Sequence, residues 1–213
     1  NTKGELYDYL RLHDRVIFRF ADSRDLEKMA KGLSSVTYGT SRDCHITGKV
    51  HSCNPFLTVQ WDAGRIKTHL IGSYNLPNVL AAICVGATFY VDAEDINKAI
   101  AEYEPTNNRS QLMDTKRNKL IVDAYNANPS SMALAVDNFL ALRAKNKMVI
   151  LGDMRELGET SQREHQKIVD RLRGIDTVWL VGSEFAKCRH RYRVFADVEE
   201  VKAELAAHPI KGH

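Results

Sequence analysis

The 213 residues predict an α/β protein in two parts, and three observations carry the prediction. In the second half, the apolar runs Lys119 to Val122, Met148 to Leu151 and Val178 to Val181 alternate with helical patterns at Ser130 to Ala144 and Ser161 to Arg173. That is the spacing of parallel βαβ crossovers, hence a parallel-sheet domain. In the first half, Val36 to Leu70 alternates and is rich in β-branched and aromatic residues, which marks an antiparallel β region. Between them Glu104-Pro105-Thr106-Asn107-Asn108 interrupts both patterns, and the boundary is placed there, with residues 1–106 on one side and 107–213 on the other.

Taken in order, Gly4 to Leu12 has helical spacing and leads into Val16 to Phe20, a buried strand, followed by a helix over Asp25 to Lys31. Four strands follow: Val36 to Tyr38, His45 to Val50, Phe56 to Trp61 and Lys67 to Leu70. Gly39, Asn54-Pro55 and Ala63-Gly64 break them into antiparallel hairpins at a sheet edge. Pro77 sits in the first turn of a helix running to Thr88, and Ala81, Ala82, Gly86 and Ala87 let that helix pack closely. Ala93 to Tyr103 is a helix with an acidic start at Asp92, Glu94 and Asp95. Later, Ser161 with Glu164 three residues on has the form of a capping box, and shorter helices are expected near Phe185 and from Val198 to Ala206.

Composition narrows the function classes. Thirty basic and 27 acidic residues give a net charge of only +3, too balanced for a polyanion-binding field, so nucleic acid is not an expected partner. No apolar stretch approaches bilayer length and no signal-peptide core is present, so no membrane partner is expected. Cys44, Cys53, Cys84 and Cys188 form no CxxC pair and no cluster at metal-ligand spacing, which fits reduced thiols in a cytoplasmic protein. A first residue of Asn1 and an uncapped tail, Pro209 to His213, suggest a piece of a longer chain.

Chemistry is expected first in KLIVDAYNANPSS, residues 119–131. A short apolar strand empties into Asp123, Tyr125, Asn126 and Asn128 before a helix begins, and in open α/β sheets ligands sit at such strand ends. An acid there accepts from a ribose hydroxyl pair, and amides and a phenol donate to phosphate or carboxylate oxygens; equally, Asn and Asp satisfy turn backbone. The second stretch is Ile150 to Gly158, where Asp153 and Glu156 share a loop followed by His165. These carboxylates either orient an ammonium or a metal-bound water, or Glu156 is a solvated loop acid and His165 a partly buried helix residue. In the third, Asn75 and Asn78 begin a helix three residues apart, presenting the paired donor and acceptor an adenine edge requires, or merely an N-cap. GxxxxGK[ST], GxGxxG, HExxH and GxSxG are absent, so the chain alone is not expected to hydrolyse ATP.

DAYNANPSSM, ILGDMRELGETSQREH and GSYNLPNVLAA together resemble the Mur ligase family, over nearly the whole chain. By that resemblance residues 1–106 are part of a central ATPase domain, and residues 107–213 are a C-terminal Rossmann-like domain that lacks its last strand. The implied parent is a monomeric, cytoplasmic, ATP-dependent and ADP-forming ligase. It would use Mg2+ and pass through an acyl phosphate to join D-alanyl-D-alanine to UDP-N-acetylmuramoyl-tripeptide in peptidoglycan precursor synthesis. Lys3 resembles the lysine that family members carry as a carbamate, a magnesium ligand. Asn75 and Asn78 resemble adenine contacts, Arg109 an arginine after the linker that reaches the nucleotide, and Asp123 the ribose acid. Tyr125 and Asn126 then line the nucleotide, with Asn128, Asp153, Glu156 and His165 on the substrate side. The family's P-loop, magnesium-binding glutamate and uridine pocket map onto no position here. Other readings are a different Mur ligase, a folylpolyglutamate-type ligase, or a nucleotide-binding module without catalysis.

Overall fold

The computed structural model of the chain describes residues 2–106 and 108–213, with all their side chains except those of Thr2 and Lys3. Two units result, Asn1–Glu104 and Pro105–His213, so the division falls inside the predicted break. Lys3 belongs to the first helix, α1 (Thr2–Leu12), but its side chain, and with it the expected carbamate, lies outside the described residues.

In unit 1, β1 (Ile17–Phe20), β2 (Ser35–Gly39), β3 (Ile46–Cys53), β4 (Phe56–Trp61) and β5 (Gly64–Ile71) form one five-stranded sheet in sequential order. β3, β4 and β5 pair antiparallel, as expected, but β1 with β2 and β2 with β3 are parallel. The expected hairpin between β2 and β3 is thereby corrected. A strand of four or five residues carries the same apolar pattern in either direction, so its connection decides. α2 (Arg24–Met29) returns the chain to the start of β1, and β3 begins beside the end of β2.

β4 shows why the first-half core forms. Leu57, Val59 and Trp61 alternate inward along the strand and meet Leu76, Val79, Leu80 and Ile83 of α3 (Leu76–Thr88) and Ile96 of α4 (Ala93–Glu102). Each such side chain contributes about 1.5–3 kcal/mol when fully buried. The Trp61 Nε1–H donates to Asn97 Oδ1 at 2.8 Å, and Asn97 Nδ2 donates to the Ala63 carbonyl at 3.1 Å, which ties α4 to the β4–β5 turn.

In unit 2, β8 (Met148–Gly152), β9 (Thr177–Val181) and β10 (Arg193–Phe195) form a parallel sheet in the order β10-β9-β8. α5 (Pro129–Ala141) and α6 (Ser161–Arg171) cover one face, where Met132, Val136, Ile168 and Leu172 meet Val149, Val178 and Leu180. On the other face Trp179, Val181 and Phe195 pack with Val201 of α8 (Val198–Ala207). Burial on both faces is why β9 reads as an unbroken apolar run rather than an alternating one.

The run at residues 119–122 is corrected. As β7 (Lys119–Val122) it pairs antiparallel with β6 (Gln111–Asp114), a two-stranded hairpin separate from the parallel sheet. The turn that closes it is built by Thr115, whose N–H and Oγ1 both donate to the Asn118 carbonyl at 2.9 and 2.8 Å. β6 and β10, four and three residues long, are not among the expected strands.

No helix among the described residues is long and apolar enough to cross a membrane. The four cysteines are free, and burial pushes each thiol pKa up, which disfavours the thiolate.

Candidate functional site

Three of the expected residues come together at the end of β7. The Asp123 Oδ1 accepts from the Ser110 N–H at 3.3 Å, and the Ala124 N–H donates to the Asn108 carbonyl at 2.8 Å, so the segment entering β6 is fastened across the turn leaving β7. Asn108 and Ser110 hold φ of 56° and 50°, the left-handed region, and this places Arg109 over the turn. Its guanidinium lies 3.6 Å from the centre of the Tyr125 ring, a cation–π stack. Arg109, Asp123, Tyr125 and Asn126 are all exposed. Ser110, which is buried and orients Asp123, was not found from sequence, because nothing about a serine announces a positive φ.

Asn128 has a structural task at the same place. As N-cap of α5 its Oδ1 accepts from the Ser131 N–H at 2.9 Å and the Ser130 Oγ–H at 2.8 Å, while Ser131 Oγ accepts from the Asn128 N–H at 3.3 Å. Pro129 has no N–H and that of Ser131 is taken, so the α5 terminus offers a ligand fewer donors than the strand-to-helix pattern suggested. Asn128→Ala is expected to lower the urea midpoint of unit 2 by the equivalent of about 1 kcal/mol, whereas Asn128→Asp, which keeps an acceptor, restores it. The capping box is thus at Asn128 and Ser131. The one expected at Ser161 and Glu164 is absent: Glu164 pairs with Lys167 at 2.8 Å and Arg163 at 3.2 Å, and Ser161 Oγ donates to Glu184 Oε2 at 2.6 Å.

The loop after β8 is held from beneath. His165 is wholly buried; its Nε2 accepts from the Met154 N–H at 2.9 Å, and its Nδ1–H donates to the Ser161 carbonyl at 2.8 Å. The Phe185 ring meets it edge-on at 4.7 Å. Asp153 accepts from the N–H groups of Glu184 and Phe185 at 2.9 and 3.0 Å, at the start of the short helix α7 (Ser183–Ala186). With Nε2 holding a lone pair toward Met154, the 3.8 Å approach of Asp153 to His165 is not an ion pair. His165 is therefore withdrawn from the substrate-facing set, since both ring nitrogens are used and no surface is open. Asp153 is half-buried and its oxygens are committed to α7, whereas Glu156 is exposed, with φ of 63°. Hydrogen bonds from Lys187 and Ser161 hold the Glu184 carboxyl below its usual pKa, so it stays ionised at neutral pH.

In unit 1 the two expected amides engage each other. Asn75, buried at the start of α3, donates through Nδ2 to the Ile71 carbonyl at 2.8 Å and accepts at Oδ1 from Asn78 Nδ2 at 3.0 Å. Asn75 thereby orients Asn78, which is exposed.

Residues 108–209 match the family described as Mur ligase, glutamate ligase domain. These residues therefore carry a Mur ligase domain. Among curated relatives, the chain is 33% identical over 147 residues to a UDP-N-acetylmuramoyl-tripeptide--D-alanyl-D-alanine ligase of Treponema pallidum, covering 65% of this chain and 32% of that protein. To the enzyme of the same name from Bacillus subtilis it is 37% identical over 100 residues, 46% of this chain and 22% of that one. The fold is similar to that of MurF ligase from Thermotoga maritima, solved in complex with ADP, with a TM-score of 0.75 at 20% identity over 93% of this chain and 48% of that chain. The chain therefore spans less than half the length of each of these three.

Proposed function

We propose that the chain is the adenine-side and C-terminal portion of an ATP-dependent, ADP-forming ligase. The complete enzyme joins D-alanyl-D-alanine to UDP-N-acetylmuramoyl-tripeptide in the cytoplasm, a step of peptidoglycan precursor synthesis. The observation that carries this reading is the convergence of Arg109, Asp123 and Tyr125 on one exposed turn, inside the stretch that matches the Mur ligase domain. The names of the relatives supply the substrate pair.

Each residue has a task that its chemistry fits. Asp123, oriented by the Ser110 N–H, accepts from the hydroxyl pair of a ribose. Arg109 offers a permanent cation to the phosphates, with planar N–H edges suited to paired phosphate oxygens. Taken by itself, unit 1 offers in Asn78 an exposed amide held by Asn75, with the donor and acceptor that an adenine edge takes. Magnesium is a different matter: among the described residues no three His, Cys, Asp or Glu side chains converge as a metal site. The described residues do not form a cage for it.

The test uses the complete product of the gene. ATP-dependent phosphate release with UDP-N-acetylmuramoyl-tripeptide is measured in the presence of D-alanyl-D-alanine or of single amino acids. Turnover is expected with the dipeptide alone; strict dependence on an acidic or diamino acid would remove the proposed substrate.

A further inference from the structure

We infer that Tyr125 is a positioning residue: its ring holds the Arg109 guanidinium in the orientation from which it engages nucleotide phosphates, and Tyr125 does not itself touch the nucleotide. This rests on the reading above that Arg109 faces ATP. The geometry shows how the pair works. The backbone on either side of Arg109 is pinned, by the Asn108 carbonyl accepting from Ala124 and by the Ser110 N–H donating to Asp123, so the remaining freedom lies in the long side chain. An exposed arginine samples many rotamers, and ordering it on a ligand opposes binding. At 3.6 Å from the ring centre the guanidinium lies on the face of Tyr125, which limits those rotamers before any ligand arrives.

The ring engages the cation through its π face and takes up none of its N–H groups in a conventional hydrogen bond, and those groups are what bind paired oxygens. None of the ion pairs among the described residues uses Arg109, so none of those carboxylates occupies its N–H groups. The role needs an aromatic face and not the phenol oxygen. Tyr125 is 64% exposed, so replacing it removes little packing.

A double-mutant cycle on the complete gene product, read as the ATP dissociation constant by calorimetry, tests this. Tyr125→Phe, which keeps the aromatic face, should recover most of the affinity that a Tyr125→Leu change loses. Tyr125→Leu should bind about two- to fivefold more weakly, the size of an exposed cation–π contact. Arg109→Ala should bind about tenfold or more weakly, the loss of a charge-assisted hydrogen bond. In the Arg109→Ala background, adding Tyr125→Leu should change nothing further. If Tyr125→Leu weakens binding equally with and without Arg109, the ring contacts the nucleotide itself and the positioning role is overturned; an unchanged affinity in Tyr125→Leu alone overturns it too. If Arg109→Ala binds as tightly as the natural protein, the reading of the site beneath this inference fails first.

Discussion

His165→Ala is expected to destabilise the Pro105–His213 unit by about 3–5 kcal/mol, combining a vacated core site with an unpaired backbone donor. The imidazole is wholly buried, and it is the acceptor for the Met154 N–H at 2.9 Å. Alanine leaves that N–H without an acceptor, in a place where Met154 itself is 2% exposed and the Phe185 ring loses its edge contact. A unit of this size has about 5–15 kcal/mol of stability in all, so the variant sits near its threshold at room temperature. The two tryptophans fall one to a unit, so Trp179 emission in a Trp61→Phe background reports urea unfolding of unit 2. His165→Gln, whose amide oxygen can reach the Nε2 position, should recover part of the loss, and Met154 should lose amide-exchange protection in the alanine variant only. An unchanged midpoint in His165→Ala would refute this role of His165 in holding the loop after β8.

The same histidine marks how far sequence alone could reach. Its helix was legible, because Ile168, Val169 and Leu172 recur at helical spacing, and β9 was legible because a strand covered on both faces is apolar throughout. What spacing does not carry is the partner of a polar side chain. A histidine beside two loop carboxylates looks like chemistry in one dimension, and only the fold shows its nitrogens used by Met154 and Ser161.

Arg109 shows the opposite case. Nothing local links it to Tyr125, sixteen positions later; the link depends on an antiparallel β6–β7 hairpin and on positive φ at Asn108 and Ser110, which no residue preference announces. Strand direction was hidden for the same reason. The parallel pairing of β1 with β2 follows from where α2 delivers the chain and not from the residues in either strand.

Gly182→Ala is the second large effect expected, at about 3–5 kcal/mol of lost stability in unit 2, from backbone strain plus unpaired donors. Gly182 follows β9 with φ of 114° and ψ of 167°, a conformation essentially closed to residues with a Cβ. The space is closed as well: a Cβ there would stand 2.2 Å from Asp153 Oδ2 and 2.3 Å from its Cγ. That carboxylate is not free to withdraw, because it accepts from the Glu184 and Phe185 N–H groups that open α7. Either Asp153 leaves and two backbone donors lose their acceptor, or the strand-to-helix turn shifts and takes Phe185 out of the core. Asp153→Ala alone loses those hydrogen bonds without the clash, so the two substitutions should be less than additive: combined, they retain the φ strain but no collision. The measurement is the Trp179-detected urea midpoint of both single variants and the double. Strict additivity would mean that Gly182 and Asp153 do not meet, and that the turn after β9 tolerates a side chain that this packing forbids.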